Sequence, residues 1–354
     1  MKKNLFVILF SVFFGLLFAE IFIRLFYPQS LADYWKENEN EFGLLVNKND
    51  YLFKNHRVKQ HVATYRFGSY RNRTTIKNDN LNDLPKILIL GDSFTFGWLL
   101  EDEFTYIHKL QMDNLNYHLI NSSVAGWGAS SYTAFVEIFC KEINPKKIII
   151  FINTDDFYRS TWQKYYLLKN GNLVKNKVQF EKKISITKFD KIIPFYSFLK
   201  KNSHSFILLR NVVYNIVYPP QKTDLSEFYY TNPNIKLDPD EIKTITILNK
   251  KIFLRLKNLA KKCGSDLLII NNGWAEVINI PETNPNKQFL LGAEYFFKKN
   301  NIKYYDLAKT NKLNELYKDP YRFLFKEDLH PNKEGANLIY NASKKIIKNF
   351  LEFQ

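Results

Sequence analysis

Cysteine is scarce in this chain, with only Cys140 and Cys263, and no Cys/His spacing matches a metal site. That excludes a disulfide-framework scaffold and a zinc module. Each cysteine ends a predicted helix just before a strand. The two can pair if those helices are neighbours, but the expectation is a pair of free buried thiols. There is no internal repeat, and no compact arginine-rich stripe accompanies the net charge of +16. The lysines are dispersed, no nucleic-acid-binding motif is present, and nucleic acid is not an expected partner. The positive balance favours acidic partners such as anionic lipid headgroups or acidic glycans. Nothing in the sequence indicates a cofactor, a metal or a protein partner.

Long apolar runs are also few, and only one window reaches membrane length. Lys2 and Lys3 precede Leu5 to Tyr27, which is apolar except around Glu20 and Arg24. About 20 such residues suffice to span a bilayer as a helix. Glu20 and Arg24 stand four apart and can pair on one helix face near the far interface. Ala19 is the one small residue suited to a cleavage site, and Leu17 spoils the small-x-small pattern. The expectation is an uncleaved anchor over residues 1–28, with the lysines inside and the remaining chain outside the cytoplasm.

Beyond a polar, poorly periodic lead-in over 29–84, strands and helices alternate. Strands are predicted at Lys86–Leu90, Tyr117–Ile120, Lys147–Ile152, Asp266–Asn271 and Lys303–Asp306. Helices are predicted near Thr105–Asp113, Ser131–Lys141, Asp240–Lys262, Pro285–Lys299 and Lys333–Phe350, with Ser130 as an N-cap and Gly264 just past a C-terminus. This alternation predicts an α/β fold, a parallel sheet of about five strands with helices on both faces. Residues 158–238 interrupt it after the third strand. Within them Tyr165–Val174 reads as a hairpin turning at Asn170-Gly171, and 193–216 as one or two aromatic-rich helices, expected as a cap over the site or a packed face. In the lead-in, Arg66, Arg71 and Arg73 read as a solvated basic surface more than as anion ligands.

The chemistry concentrates where strands end. Ile87-Leu88-Ile89-Leu90 runs into Gly91-Asp92-Ser93-Phe94-Thr95-Phe96-Gly97, and ligand crevices of open α/β sheets lie outside the carboxyl ends of strands. A helix following there favours a developing oxyanion at its N-terminus. A serine hydroxyl needs a base, and a carboxylate must hold that base in the right tautomer. His330 supplies a base, with Glu327 three residues and Asp328 two residues before it, and either acid can orient it. Asn271 and Asn272, leaving the fourth strand, line the same crevice or make a turn.

Together these segments resemble the SGNH (GDSL-type) hydrolase superfamily over roughly residues 85–345. Gly91-Asp92-Ser93 matches its first block and Glu327-Asp328-Leu329-His330 its last. The resemblance implies a flavodoxin-like sheet, an SGNH-type domain over 85–350, Ser93 as nucleophile and His330 as base. It also implies an oxyanion hole made by Ser93 and Gly126 N–H groups with a side chain from the third block. That block is usually Gly-x-Asn-Asp, and here it reads Asn153-Thr154-Asp155-Asp156. Asn153 stands at the glycine and Asp155 at the oxyanion-donating asparagine. An ionised carboxylate at 155 would repel the charge, whereas Asn153 points to the same side and can donate in its place. The expected activity is a serine esterase or O-acyltransferase acting on an ester, preferably acetyl, of a cell-envelope glycan, with lipids and acyl thioesters as other substrates. The opposing expectation is a catalytically degenerate glycan-binding or scaffold module.

Overall fold

Two periodicities organise the chain: near-continuous aliphatic runs that suit strands buried on both faces, and amphipathic stretches that suit covering helices. The structure is a computed structural model. It describes residues 2–29, 31, 35–39, 41–58, 60–74, 79–153, 155–176, 195–217, 238–274, 285–326 and 328–352.

In chain order the helix α1 (Lys2–Phe26) precedes the strands β1 (Lys36–Asn38), β2 (Leu45–Asn47), β3 (Leu52–Val58) and β4 (His61–Arg66). Next come β5 (Lys86–Leu90), α2 (Ser93–Phe96), α3 (Tyr106–Asp113), β6 (His118–Asn121), α4 (Ala129–Ile143), β7 (Lys147–Ile152) and α5 (Asp156–Gln163). The hairpin β8 (Tyr166–Lys169) and β9 (Asn172–Lys175) leads to α6 (Tyr196–Asn202) and α7 (His204–Val217). The chain then runs through α8 (Pro239–Lys262), β10 (Asp266–Asn271), α9 (Pro285–Lys299), β11 (Lys303–Asp306), α10 (Asn314–Lys318) and α11 (Lys333–Glu352). The rest of the expected insertion, 177–194 and 218–237, lies outside the described residues.

Two compact units divide these elements. One comprises residues 36–52, 65–179 and 223–354, and the other 1–35, 53–64 and 180–222. The larger unit holds a parallel five-stranded sheet ordered β11-β10-β7-β5-β6. Counted by appearance this is the order 2-1-3-4-5, the flavodoxin-like arrangement, which reverses direction beside β5 and so opens a crevice at its carboxyl end. Leu88, Leu90, Ile148 and Ile150 pack with α4, α8 and α9 on one face. Ile87, Ile89, Ile149 and Phe151 pack with α3 and α11 on the other. Each such side chain withdrawn from water contributes about 1.5–3 kcal/mol.

Four predicted strands have the observed bounds, and the second lies one residue later because the ladder Lys86↔His118 to Ile89↔Asn121 carries Asn121 into the sheet. Gly264 follows the end of α8 with φ +69°, as expected of a C′ glycine. Ser130 is not the cap of α4. Gly128 is, because a Cβ at 128 would stand 2.5 Å from the Asp156 carbonyl oxygen, and Ser130 sits inside the helix with its hydroxyl donating to Gln163. The expectation of free thiols is also corrected. Packing of α4 beside α8 brings Cys140 and Cys263 to a Cα separation of 6.2 Å, and the two form a disulfide. Their sequence separation of 123 gave no hint of that proximity.

The lead-in is more ordered than its composition suggested. β1 pairs antiparallel with β2, and β3 and β4 form a second two-stranded sheet. Arg73 is not solvated. It is 1% exposed, its Nε and Nη2 donate to Asp102 (3.1 and 3.0 Å), and it also reaches the carbonyls of Phe96, Gly97 and Leu100. Arg66 pairs with Asp102 at 2.5 Å and Arg71 with Glu37 at 2.7 Å.

In the smaller unit, Phe6–Phe26 is long and apolar enough to cross a membrane, and its large side chains are exposed. Glu20 and Arg24 pair at 3.0 Å as their spacing predicted. Glu20 also accepts from the N–H groups of His204 and Ser205 and from both flanking serine hydroxyls. These are N-terminal donors of α7 that have no partner within their own helix, so the acid of one helix caps another.

Candidate active site

The turn that carries Ser93 begins where β5 ends. Only glycine fits at 91, since a Cβ there would stand 2.0 Å from Thr95 Oγ1. Asp92 then caps the short helix α2 by accepting from the Phe94 N–H at 2.9 Å, which leaves Ser93 at its first position. Gly97 closes the turn at φ +81°. The turn is fastened from outside: Tyr106 donates to Thr95 Oγ1 at 2.8 Å, Asn121 donates to the Thr95 carbonyl at 2.9 Å, and Arg73 grips the segment behind it. Ser93 is buried, at 6% exposure.

His330 arrives from the loop before α11, and its Nε2 lies 2.8 Å from Ser93 Oγ. Its Nδ1 bonds Asp328. With the Nδ1 proton directed at a carboxylate, Nε2 is the acceptor and the Ser93 hydroxyl donates to it. Of the two acids that the sequence offered, Asp328 is therefore the one on the imidazole, and Glu327 lies outside the described residues. A carboxylate only two residues away reaches back because Leu329, between them, adopts φ +61°. A leucine in that left-handed region costs about 1–2 kcal/mol, and its complete burial offsets the cost. Phe94 and Trp98 flank the imidazole at ring distances of 5.4 and 5.7 Å.

Gly126 lies on the loop between β6 and α4, exposed and at φ +89°. Among the described residues, neither the Ser93 N–H nor the Gly126 N–H donates a hydrogen bond. A backbone N–H without an acceptor is the kind of donor an oxyanion requires.

The third block departs from the family pattern in an ordered way. Asn153 is 1% exposed, and its Nδ2 donates to Asp92 Oδ2 at 3.1 Å, directly beside the nucleophile turn. Asp155 turns to Arg159, whose Nη2 donates to its Oδ2 at 2.8 Å, while the buried Asp155 Oδ1 has no partner among the described residues. Asp156 is fully buried and accepts from Tyr132 and from the Asn153 N–H, both at 2.7 Å. Burial, reinforced by nearby Asp92, pushes the Asp156 carboxyl well above the usual range. Arg159 joins the group, with Nη1 donating to the Trp127 carbonyl (2.8 Å) and to Asp92 (3.2 Å). Burial alone would lower its pKa, but the carboxylates of Asp155, Asp92 and Asp156 outweigh that and raise it.

The sequence reading missed Arg159, although its spacing of four from Asp155 and three from Asp156 at the start of a helix is a legible signal. Asn271 and Asn272 make the turn after β10, their side-chain oxygens accepting from the Gly273 and Trp274 N–H groups. No cluster of metal ligands is present among the described residues.

No protein-family model and no curated protein sequence matches the chain. Solved structures do resemble it, at low identity. They include the psychrotrophic esterase EstA from Pseudoalteromonas sp., at 14% identity and a TM-score of 0.43, covering 76% of this chain and 99% of that one. A member of the lipolytic G-D-S-L family from Veillonella parvula aligns at 11% identity and a TM-score of 0.40, covering 75% and 98%. An acetyl xylan esterase aligns at 14% identity and a TM-score of 0.41, covering 74% and 99%. The likeness is one of fold.

Proposed function

We propose that this chain is a membrane-anchored serine esterase or O-acyltransferase that works through Ser93, His330 and Asp328. The observation that carries the reading is the unbroken relay Asp328, His330 Nδ1, His330 Nε2, Ser93 Oγ. His330 takes the Ser93 proton as Oγ attacks an ester carbonyl. The Ser93 and Gly126 N–H groups receive the oxyanion, and His330 returns the proton to the departing alcohol. An acyl-serine remains, which water or a second hydroxyl resolves by the reverse sequence. Asn153 supports the turn through Asp92, and Arg159 holds the Asp155 charge.

An acetylated cell-envelope glycan is the proposed substrate. The apolar helix α1, read as an anchor with its lysines inside, supports a site facing the envelope. The motif resemblance to polysaccharide esterases and acetyltransferases supports the acyl group.

The test is labelling of the full chain in detergent by a fluorophosphonate probe, alongside Ser93→Ala and His330→Ala. Labelling lost in both variants is the expected result. A folded wild-type chain that takes no label overturns the reading and leaves a glycan-binding module at this fold.

A further inference from the structure

The loop that carries Gly126 has three successive carbonyls, and each is held by a different side chain. Lys36 Nζ donates to the Ala125 oxygen at 3.2 Å, Gln163 Nε2 to the Gly126 oxygen at 2.8 Å, and Arg159 Nη1 to the Trp127 oxygen at 2.8 Å. The first of these acts on the peptide that matters most. The Ala125 carbonyl and the Gly126 N–H belong to one peptide unit. In a trans peptide they point in opposite directions, and no described bond is cis. A cation fixed on the carbonyl side therefore aims the N–H away from itself and draws electron density out of it, which strengthens it as a donor. The unit needs such a hold, because Gly126 has φ +89° and a Cβ built there would meet nothing within 4 Å.

We propose that Lys36 is a positioning residue for the oxyanion pocket, orienting and polarising the Gly126 N–H through the Ala125 carbonyl. This rests on the reading of that N–H as an oxyanion donor. Lys36 comes from β1, far from the motif blocks in sequence, and Asn47 faces it across the β1–β2 ladder.

Burial pushes the Lys36 ammonium down to about 8. Glu37, next on the strand, pairs with Arg71, and Arg159 of α5, which holds the Trp127 carbonyl of the same loop, is occupied by Asp92, Asp155 and Asp156. The polarising charge is thus present at neutral pH and lost as the pH rises through that value.

The experiment compares turnover of p-nitrophenyl acetate by full-length wild type, Ser93→Ala, Lys36→Met and Lys36→Arg in detergent, from about pH 6 to about pH 9.5. Removing a direct oxyanion donor costs about 10²–10³ in kcat, and releasing the hold on one costs less. The expected result is a roughly tenfold fall in kcat for Lys36→Met, with KM within about twofold. Lys36→Arg, which keeps donor and charge, is expected within about threefold of wild type and without the alkaline decline, because arginine stays charged. Unchanged kcat in Lys36→Met overturns the Lys36 role and leaves the esterase reading standing. Equal losses in the Met and Arg variants, or a rise in KM alone, overturn it too. Absence of Ser93-dependent turnover in wild type overturns both.

Discussion

Replacing Arg159 by methionine removes the one cation that serves Asp92, Asp155 and Asp156. The Arg159 side chain is 14% exposed, and the three carboxyls are 1%, 12% and 0% exposed. Breaking a buried pair by deleting one partner costs about 3–5 kcal/mol, because it strands the other charge. Asp156 adds less, since burial already disfavours its charged form. Asp92 retains the Phe94 and Asn153 donors, whereas the Asp155 side chain has no other partner among the described residues. The lost bond to the Trp127 carbonyl adds about 1 kcal/mol, and burial of the methionine returns a similar amount. The net is about 4 kcal/mol, which corresponds to a drop in melting temperature on the order of 10 °C. Thermal unfolding followed by circular dichroism reads it. A loss below about 1 kcal/mol refutes the view that Arg159 neutralises this cluster.

Asp328→Asn is expected to lower kcat by about 10³–10⁴, since an amide donating to Nδ1 forces the wrong tautomer at Nε2; steady-state kinetics should find Glu327→Gln within a few-fold of wild type, and the reverse ranking would assign the acid to Glu327. Asp156→Asn tests the proton on that carboxyl. An acid whose folded pKa is raised contributes stability that is full below its unfolded pKa and falls as pH rises through the folded value, so melting curves across that range should be flatter for the asparagine variant. Leu329→Gly and Leu329→Ala delete similar buried volume, but only alanine keeps the strained φ, so denaturant melts should find the glycine variant more stable by about 1 kcal/mol. Alkylation of unfolded protein should modify Cys140 and Cys263 only after reduction, and modification without reductant would refute the disulfide.

Strand and helix identity was legible because it depends on neighbours a few residues apart. Lys147–Ile152 reads as a strand buried on both faces from its own composition, and α9 from Pro285 to its closing lysines. Ser93 and His330, which meet at 2.8 Å, stood out as candidates because Gly-Asp-Ser at a strand end and a histidine preceded by acids are local patterns. The β1–β2 pair of the lead-in was not, since strands of three residues carry too few alternations to register.

The sequence by itself determined the class of the sheet, the apolar span and the two segments that bring Ser93 and His330. Each follows from short-range pattern, and the Glu20–Arg24 pair follows from helical spacing alone. Only the tertiary structure decided which acid meets His330, because the choice turns on the backbone angle of Leu329. It also decided that Cys140 and Cys263 bond, that Arg73 is buried under the nucleophile turn, and that Arg159 and Lys36 hold the Gly126 loop. These partners lie tens to more than a hundred residues apart. Their meeting is set by how helices and loops pack against the sheet, and no local periodicity encodes that.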